Sequence, residues 1–133
     1  MIRGVEVTQL LQRHDDRGWL AEVLRTGDKI PGGPGQIYIT AAKPGVTKGR
    51  HYHTRKVEWF CVIQGQGRLL LEEIATGLHQ EVEMSQAKMV TVRIPPGVGH
   101  AITNTGSDLL LLMVYVNEVF DPNDQDTLPW AGR

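Results

Sequence analysis

A single cysteine, Cys61, stands among the 133 residues, which excludes an internal disulfide framework. Neither sign of charge prevails. The 14 Lys and Arg against 15 Asp and Glu leave a net charge of -1, so the balance carries no nucleic-acid footprint. Long apolar runs are also scarce. The longest, Leu109 to Val116, is far too short to span a bilayer and reads as a fully buried strand. The opening Met1-Ile-Arg-Gly-Val-Glu has no apolar stretch of the signal-peptide kind. The cytoplasm is therefore the expected compartment, with neither a membrane nor nucleic acid as partner. No segment sustains helical periodicity. The length bounds the chain to one domain, residues 1–133, large enough for a proper core.

Strand and turn signals are plentiful instead. Val5 to Leu11 reads as an edge strand, Asp16-Arg17-Gly18 as a turn and Trp19 to Leu24 as a strand. Thr26 to Gly35, rich in Gly and Pro, reads as a long loop. Gln36 to Thr40 alternates with period two. Arg68 to Ile74 and Leu78 to Met84 flank Ala75-Thr-Gly77 as a hairpin, and Met89 to Ile94 forms a strand before Pro95-Pro96. Turns recurring every ~8–12 residues mark an all-β sandwich or barrel. The tail from Asn117 to Trp130 is polar with aromatic anchors, and is expected across the barrel mouth or a subunit interface. His14 and His79 read as surface residues.

Gly45 to Gly65 is the most informative stretch. His51 and His53 stand at i and i+2, so on a strand they project from one face. Thr54-Arg55-Lys56 reads as a hairpin connection that returns Glu58 beside them. Downstream, Pro95-Pro96-Gly97 delivers a third histidine, His100, to the start of another strand. Imidazoles and a carboxylate converging on one point form a metal site. Cys61 alternates away from Glu58 and reads as a small buried residue rather than a nucleophile.

The two stretches resemble the paired motifs of the cupin superfamily. The first runs Gly45, five residues, His51-x-His53, four residues, Glu58, six residues, Gly65. The second runs Pro95-x-Gly97, two residues, His100, three residues, Asn104, with Met89 where the pattern opens on glycine. The resemblance implies a double-stranded β-helix (jelly-roll barrel). It also implies a divalent metal held by His51, His53, Glu58 and His100. Zinc comes first, with nickel, manganese or iron also suited to such ligands.

Further stretches narrow the kind of cupin. Asp16-Arg17-Gly18-Trp19-Leu20-Ala21-Glu22 and Lys48-Gly49-Arg50-His51-Tyr52-His53 resemble segments of dTDP-4-dehydrorhamnose 3,5-epimerases. Asn117 to Thr127 is closer to the cupin domain of bifunctional capsular-polysaccharide enzymes, which epimerise and then reduce a UDP-linked 4-keto sugar. That likeness runs from Gly35 to Thr127. The rhamnose-pathway enzymes replace the second histidine by glutamine and use no metal. Their far-face tyrosine has no counterpart here, where Val119 and Phe120 stand. The resemblance implies an epimerase acting at C3 of a nucleotide-linked 4-keto-6-deoxy sugar through an enediolate, in capsule or lipopolysaccharide sugar biosynthesis. It implies a homodimer, with a separate reductase as a further partner.

Such chemistry needs a base, a stabiliser for the oxyanion and a second proton donor. His51 is either the base, leaving His53, Glu58 and His100 to the metal, or one of four ligands. In the second case a metal-bound hydroxide or a tyrosine (Tyr38, Tyr52, Tyr115) must act instead. His51, Tyr52 and Tyr115 are the candidate catalytic residues. Arg17, Lys48, Arg50, Arg55 and Lys56 are candidates for binding the diphosphate, each also readable as a solvated charge. The rival readings are a sugar-nucleotide 3,4-ketoisomerase, an iron-dependent dioxygenase and a non-catalytic binding cupin.

Overall fold

The computed structural model describes residues 1–24 and 35–132. The loop expected over Thr26 to Gly35 therefore falls, apart from Gly35, outside the described residues. Twelve strands and no helix are found among the described residues. They are β1 (Glu6–Gln9), β2 (Gln12–Asp15), β3 (Gly18–Ala21), β4 (Gln36–Ala42), β5 (Thr47–Tyr52), β6 (Glu58–Gln64), β7 (Gln66–Glu73), β8 (His79–Ser85), β9 (Val90–Ile94), β10 (Val98–Asn104), β11 (Leu110–Val116) and β12 (Leu128–Pro129). One sheet has the order β1-β9-β6-β11-β4 and the other β12-β5-β10-β7-β8, while β2 and β3 pair alone. Among the described residues no helix is long and apolar enough to cross a membrane.

Side chains from both large sheets meet in one core. Phe60, Val62, Val92, Ile94, Leu112 and Val114 of the first pack with Leu69, Leu71, Val82, Met84, Val98 and Ile102 of the second. Each such buried side chain contributes ~1.5–3 kcal/mol. The run from Leu109 to Val116 is not buried throughout, as its composition suggested. Leu110, Leu112, Val114 and Val116 are buried, whereas Leu111, Met113 and Tyr115 are half-buried. Only one face of β11 meets the core, and period-two alternation turns the other outward.

The chain passes repeatedly between the sheets: β4, β6, β9 and β11 belong to one, and β5, β7, β8 and β10 to the other. This jelly-roll winding corrects one expectation. The segment Thr54-Arg55-Lys56 does not close a β-hairpin. β5 pairs with β10 and β12, whereas β6 pairs with β9 and β11. Glu58 comes beside the histidines because the chain crosses from one sheet to the facing one. The Pro95-Pro96 segment makes a second crossing, from β9 to β10, and the Gly97 N–H donates to the His53 carbonyl at 2.8 Å. The two crossings therefore meet at one end of the barrel.

A bulge sets the facing of β5. His100 opposes His51 and Ala101 opposes Gly49, leaving Arg50 as the extra residue. Gly49 (φ 101°) and Arg50 (φ 66°) both adopt left-handed backbone. A Cβ on Gly49 would stand 2.9 Å from the His100 carbonyl oxygen, so glycine is required for the close approach. Bulges re-aim side chains, and this one turns His51 inward beside His100. The tail closes the same end. Leu128 and Pro129 pair with Tyr52 and His51, and the Trp130 indole lies on Gly99, where a Cβ would meet the ring at 2.5 Å.

Cys61 lies on β6, on the face away from the core, and is buried at 1% exposure. Burial pushes its thiol up to about 11, with a hydrogen bond to Thr91 pulling the other way. A raised pKa leaves little thiolate at pH 8, and the thiolate is the reactive form. Native protein should therefore resist an aromatic disulfide reagent at pH 8, with labelling rising only as pH approaches about 11. One thiol per chain should react at once in denaturant. Rapid native labelling, followed by absorbance, would contradict the burial.

Candidate functional site

His51, His53, Glu58 and His100 each offer one ligand atom, and these atoms all lie within 4.8 Å of one another. His51 comes from β5, His53 from the crossing that follows it, Glu58 from the facing sheet and His100 from β10. The ring centroids are 4.8 Å apart for His51 and His100, 5.2 Å for His51 and His53, and 5.3 Å for His53 and His100. His53, Glu58 and His100 are buried, and His51 is half-buried.

Backbone carbonyls decide which way two of these rings carry their protons. His53 Nδ1 lies 2.6 Å from the Asp126 carbonyl oxygen, and His100 Nδ1 lies 3.0 Å from that of Val98. A carbonyl only accepts, so both Nδ1 atoms carry the hydrogen, and in the neutral rings both Nε2 atoms carry lone pairs. Those lone pairs face one carboxylate oxygen. Glu58 Oε1 is 2.9 Å from His53 Nε2 and 3.1 Å from His100 Nε2. The His100 Nε2 is buried with no hydrogen-bond partner. An unpaired buried polar atom of this kind costs on the order of 1–3 kcal/mol.

Three acceptors directed at one point need a proton or a cation among them. This donor set, imidazole nitrogens and one carboxylate oxygen, suits a divalent transition ion. Burial alone would raise the Glu58 carboxyl. Where the positive charge is a proton on the His100 and His53 rings, their hydrogen bonds and charge outweigh burial and hold it well below the usual range. Burial would likewise lower His53, and the Glu58 contact lifts it instead. His51 behaves differently. Burial, followed by the neighbouring His100 and His53, pushes it down to about 4, so its ring is neutral at pH 7.

His51, His53 and Glu58 border a cavity of about 230 Å³, together with Gln36, Tyr38 and Phe120. Small-molecule sites usually span ~300–1,000 Å³. This cavity is suited to one ring-sized fragment, with the remainder of a larger molecule outside. A second concavity of about 480 Å³ lies over Trp59, Arg93 and the β2–β3 pair, but none of the clustered histidines lines it. The Tyr38 hydroxyl donates to Glu58 Oε2 at 3.5 Å. Burial, the Glu58 charge and that hydrogen bond all raise its phenol above the usual range.

Of the three tyrosines, the structure brings only Tyr38 to this cavity. Tyr115 alternates with Val114 and Val116 and places its ring 5.5 Å from that of Trp59, on the outer face of the sheet. Tyr52 pairs with Leu128 between the two inward histidines, and does not line the cavity.

The cationic candidates are dispersed. Arg17 sits at the exposed β2–β3 turn, ion-paired to Asp15 at 2.5 Å. Arg50 is the exposed bulge residue, and its carbonyl accepts from Trp130 N–H at 2.9 Å. Arg55 pairs with Glu118 and Asp124 of the tail, each at 3.0 Å. Lys48 donates to Thr40 Oγ1 and to the Ala41 carbonyl. Lys56 alone lines the cavity. It is buried, its Nζ donates to the Gln125 carbonyl at 2.7 Å, and it lies 5.8 Å above the Phe120 ring.

A family model described as the polysaccharide biosynthesis C-terminal domain matches residues 13–128. The chain belongs to this family. One relative is the UDP-2-acetamido-2,6-beta-L-arabino-hexul-4-ose reductase of Pseudomonas aeruginosa, 42% identical over 113 residues, covering 85% of this chain and 29% of that protein. Among solved structures, the capsular polysaccharide assembling protein CapF from Staphylococcus aureus aligns with a TM-score of 0.71 at 36% identity, covering 91% of this chain and 34% of that one. The chain thus spans about a third of the length of these two relatives. A dTDP sugar isomerase from Desulfovibrio desulfuricans aligns with a TM-score of 0.88 over 98% of this chain and 86% of that one, at 19% identity. That similarity concerns the fold alone. The family's fold here is the cupin jelly roll.

Proposed function

We propose that this domain is a nucleotide-sugar epimerase of polysaccharide biosynthesis, which exchanges the proton at C3 of a nucleotide-linked 4-keto-6-deoxy sugar. One observation carries the reading. His51 and Tyr38, from facing sheets, line a single ring-sized cavity beside Glu58. The family membership supports it, and so do relatives named for work on sugar nucleotides and capsule.

The chemistry follows from the carbonyl. A C4 ketone acidifies the C3–H bond. His51 takes that proton, and the C–H electron pair passes into the C3–C4 bond as the carbonyl becomes an enolate. Tyr38 then delivers its hydroxyl proton to C3 from the opposite face, and both side chains re-equilibrate with water. Positioned proton transfer of this kind contributes ~10²–10⁴-fold. His51 suits the base because, among the described residues, no carbonyl tethers its ring. His53 and His100 are tethered and suit ligation, together with Glu58. When bound there, a divalent ion, zinc first, supplies Lewis acidity against negative charge on a nearby oxygen. Lys56, the one cationic candidate that lines the cavity, suits a negatively charged oxygen drawn into it. A 4-keto product suits a following reduction.

A panel of nucleotide 4-keto sugars in deuterated water, read by NMR, tests the assignment. Wild type should place deuterium at C3 with inversion. His51→Asn should lower exchange at least ~10²-fold with the fold intact. Tyr38→Phe should still exchange but with retention, since the base face remains and the far-face donor is lost. Unchanged exchange in His51→Asn would remove His51 from the mechanism. A carbonyl moved to C3 would indicate a ketoisomerase, and oxygen consumption a dioxygenase.

Metal content is a separate check. Protein purified without added ions should carry about one divalent ion per chain. In Glu58→Gln the amide N–H can satisfy a histidine lone pair. The stripped variant should therefore unfold at no lower denaturant concentration than stripped wild type, yet retain little metal. Equal metal content in Glu58→Gln would contradict the ligand assignment.

A further inference from the structure

The tail contributes more than a cover to this site. Asp126 sits in left-handed backbone (φ 48°), a conformation that aspartate tolerates better than most residues. Its carboxylate fills a nest of three successive backbone N–H groups. Thr54 N–H donates to Oδ1 at 2.9 Å, Arg55 N–H to Oδ2 at 2.9 Å and Lys56 N–H to Oδ2 at 3.1 Å. The Thr54 hydroxyl adds a fourth bond to Oδ1 at 2.5 Å. Such converging N–H groups form an anion site, and here the anion is the chain's own. The carbonyl of the same residue accepts from His53 Nδ1 at 2.6 Å, across 73 residues of sequence.

One residue therefore grips the segment after His53 with its side chain and the His53 ring with its backbone. With Nδ1 held in this way, Nε2 faces Glu58 Oε1 at 2.9 Å. Without the nest, the Asp126 carbonyl has nothing to keep it over Nδ1, and the imidazole is free to rotate or change tautomer. Partners of this kind, bonded to the far nitrogen of a ligating histidine, orient the ring and raise its basicity.

We propose that Asp126 is a positioning residue, a latch in the tail that fixes the tautomer and aim of His53 as a metal ligand. The proposal rests on the metal reading given above. It predicts that binding depends on a carboxylate that touches neither the metal nor the substrate. Other tail contacts do not share this role. The Asp124–Arg55 pair also holds the tail, but it is exposed. An exposed pair of that kind contributes little to stability.

The test compares zinc affinity, by competition with a chromogenic chelator, in full-length wild type, Asp126→Gly, Asp126→Asn and Asp124→Ala. Glycine accepts the left-handed backbone, so Asp126→Gly removes the carboxylate without adding backbone strain. Circular dichroism and urea unfolding of the stripped proteins report whether the fold survives. Asp126→Gly should bind zinc about 10–100-fold more weakly than wild type while still folded in the absence of urea, with the midpoint lowered by the lost tail bonds. Asp126→Asn keeps one of the two oxygens and should recover part of the loss. Asp124→Ala should bind as wild type does. Equal affinity in folded Asp126→Gly, or an equal loss in Asp124→Ala, overturns the latch and leaves the metal reading standing. Failure of wild type itself to bind zinc overturns both.

Discussion

The carboxylate of Glu58 is the point on which the site depends. Two imidazole nitrogens, each with its proton committed to a backbone carbonyl on the other side of the ring, face the same buried oxygen. Acceptors alone repel one another, and burial removes the water that would otherwise mediate between them. The cluster therefore stores a demand for positive charge. Its neighbours follow from that demand. Tyr38 gives its only hydroxyl proton to the second Glu58 oxygen, and His51 stays neutral at the rim.

The jelly-roll winding makes such a cluster buildable. A β-hairpin would have kept His51, His53 and Glu58 on one sheet, with no facing sheet to close the cluster. Crossings between facing sheets instead place Glu58 opposite His51 and His100, so each element contributes one or two inward side chains. The crossings are then tied to each other and to the tail: Gly97 to His53, Val57 to Asn117, and the segment from Thr54 to Lys56 to Asp126. A polar cluster with unpaired acceptors weakens the barrel end that contains it. The tail contacts and the Trp130 indole on Gly99 offset that weakness from outside.

Much of this was legible in the sequence. Period-two alternation and frequent turns identified an all-β chain, and the spacing of His51, His53, Glu58 and His100 identified the cluster, because cupin spacing encodes the two crossings. The route by which Glu58 arrives was misread, since a polar tripeptide between strands looks the same whether it closes a hairpin or changes sheets. Tyr38 was separable in principle. In Gln36-Ile-Tyr-Ile-Thr40 it shares a face with Gln36 and Thr40, but which face met the cavity depended on a partner sheet that alternation does not reveal. Tyr115 failed for the same reason, in a run so apolar that neither face looked like the outside. Asp126 had no signal at all. Its partners lie some 70 residues upstream and are backbone amides, which leave no mark on the identity of a residue.

The protonation of the two tethered histidines tests the account at its centre. Nitrogen-15 labelling of histidine, with two-bond proton–nitrogen correlation spectra of the protein as purified, distinguishes an Nδ1–H ring from an Nε2–H ring directly. The account predicts that His53 and His100 both carry hydrogen on Nδ1, with Nε2 shifted as a ligating nitrogen. An Nε2–H tautomer at either residue would place a donor against Glu58, remove the demand for a cation, and contradict the account.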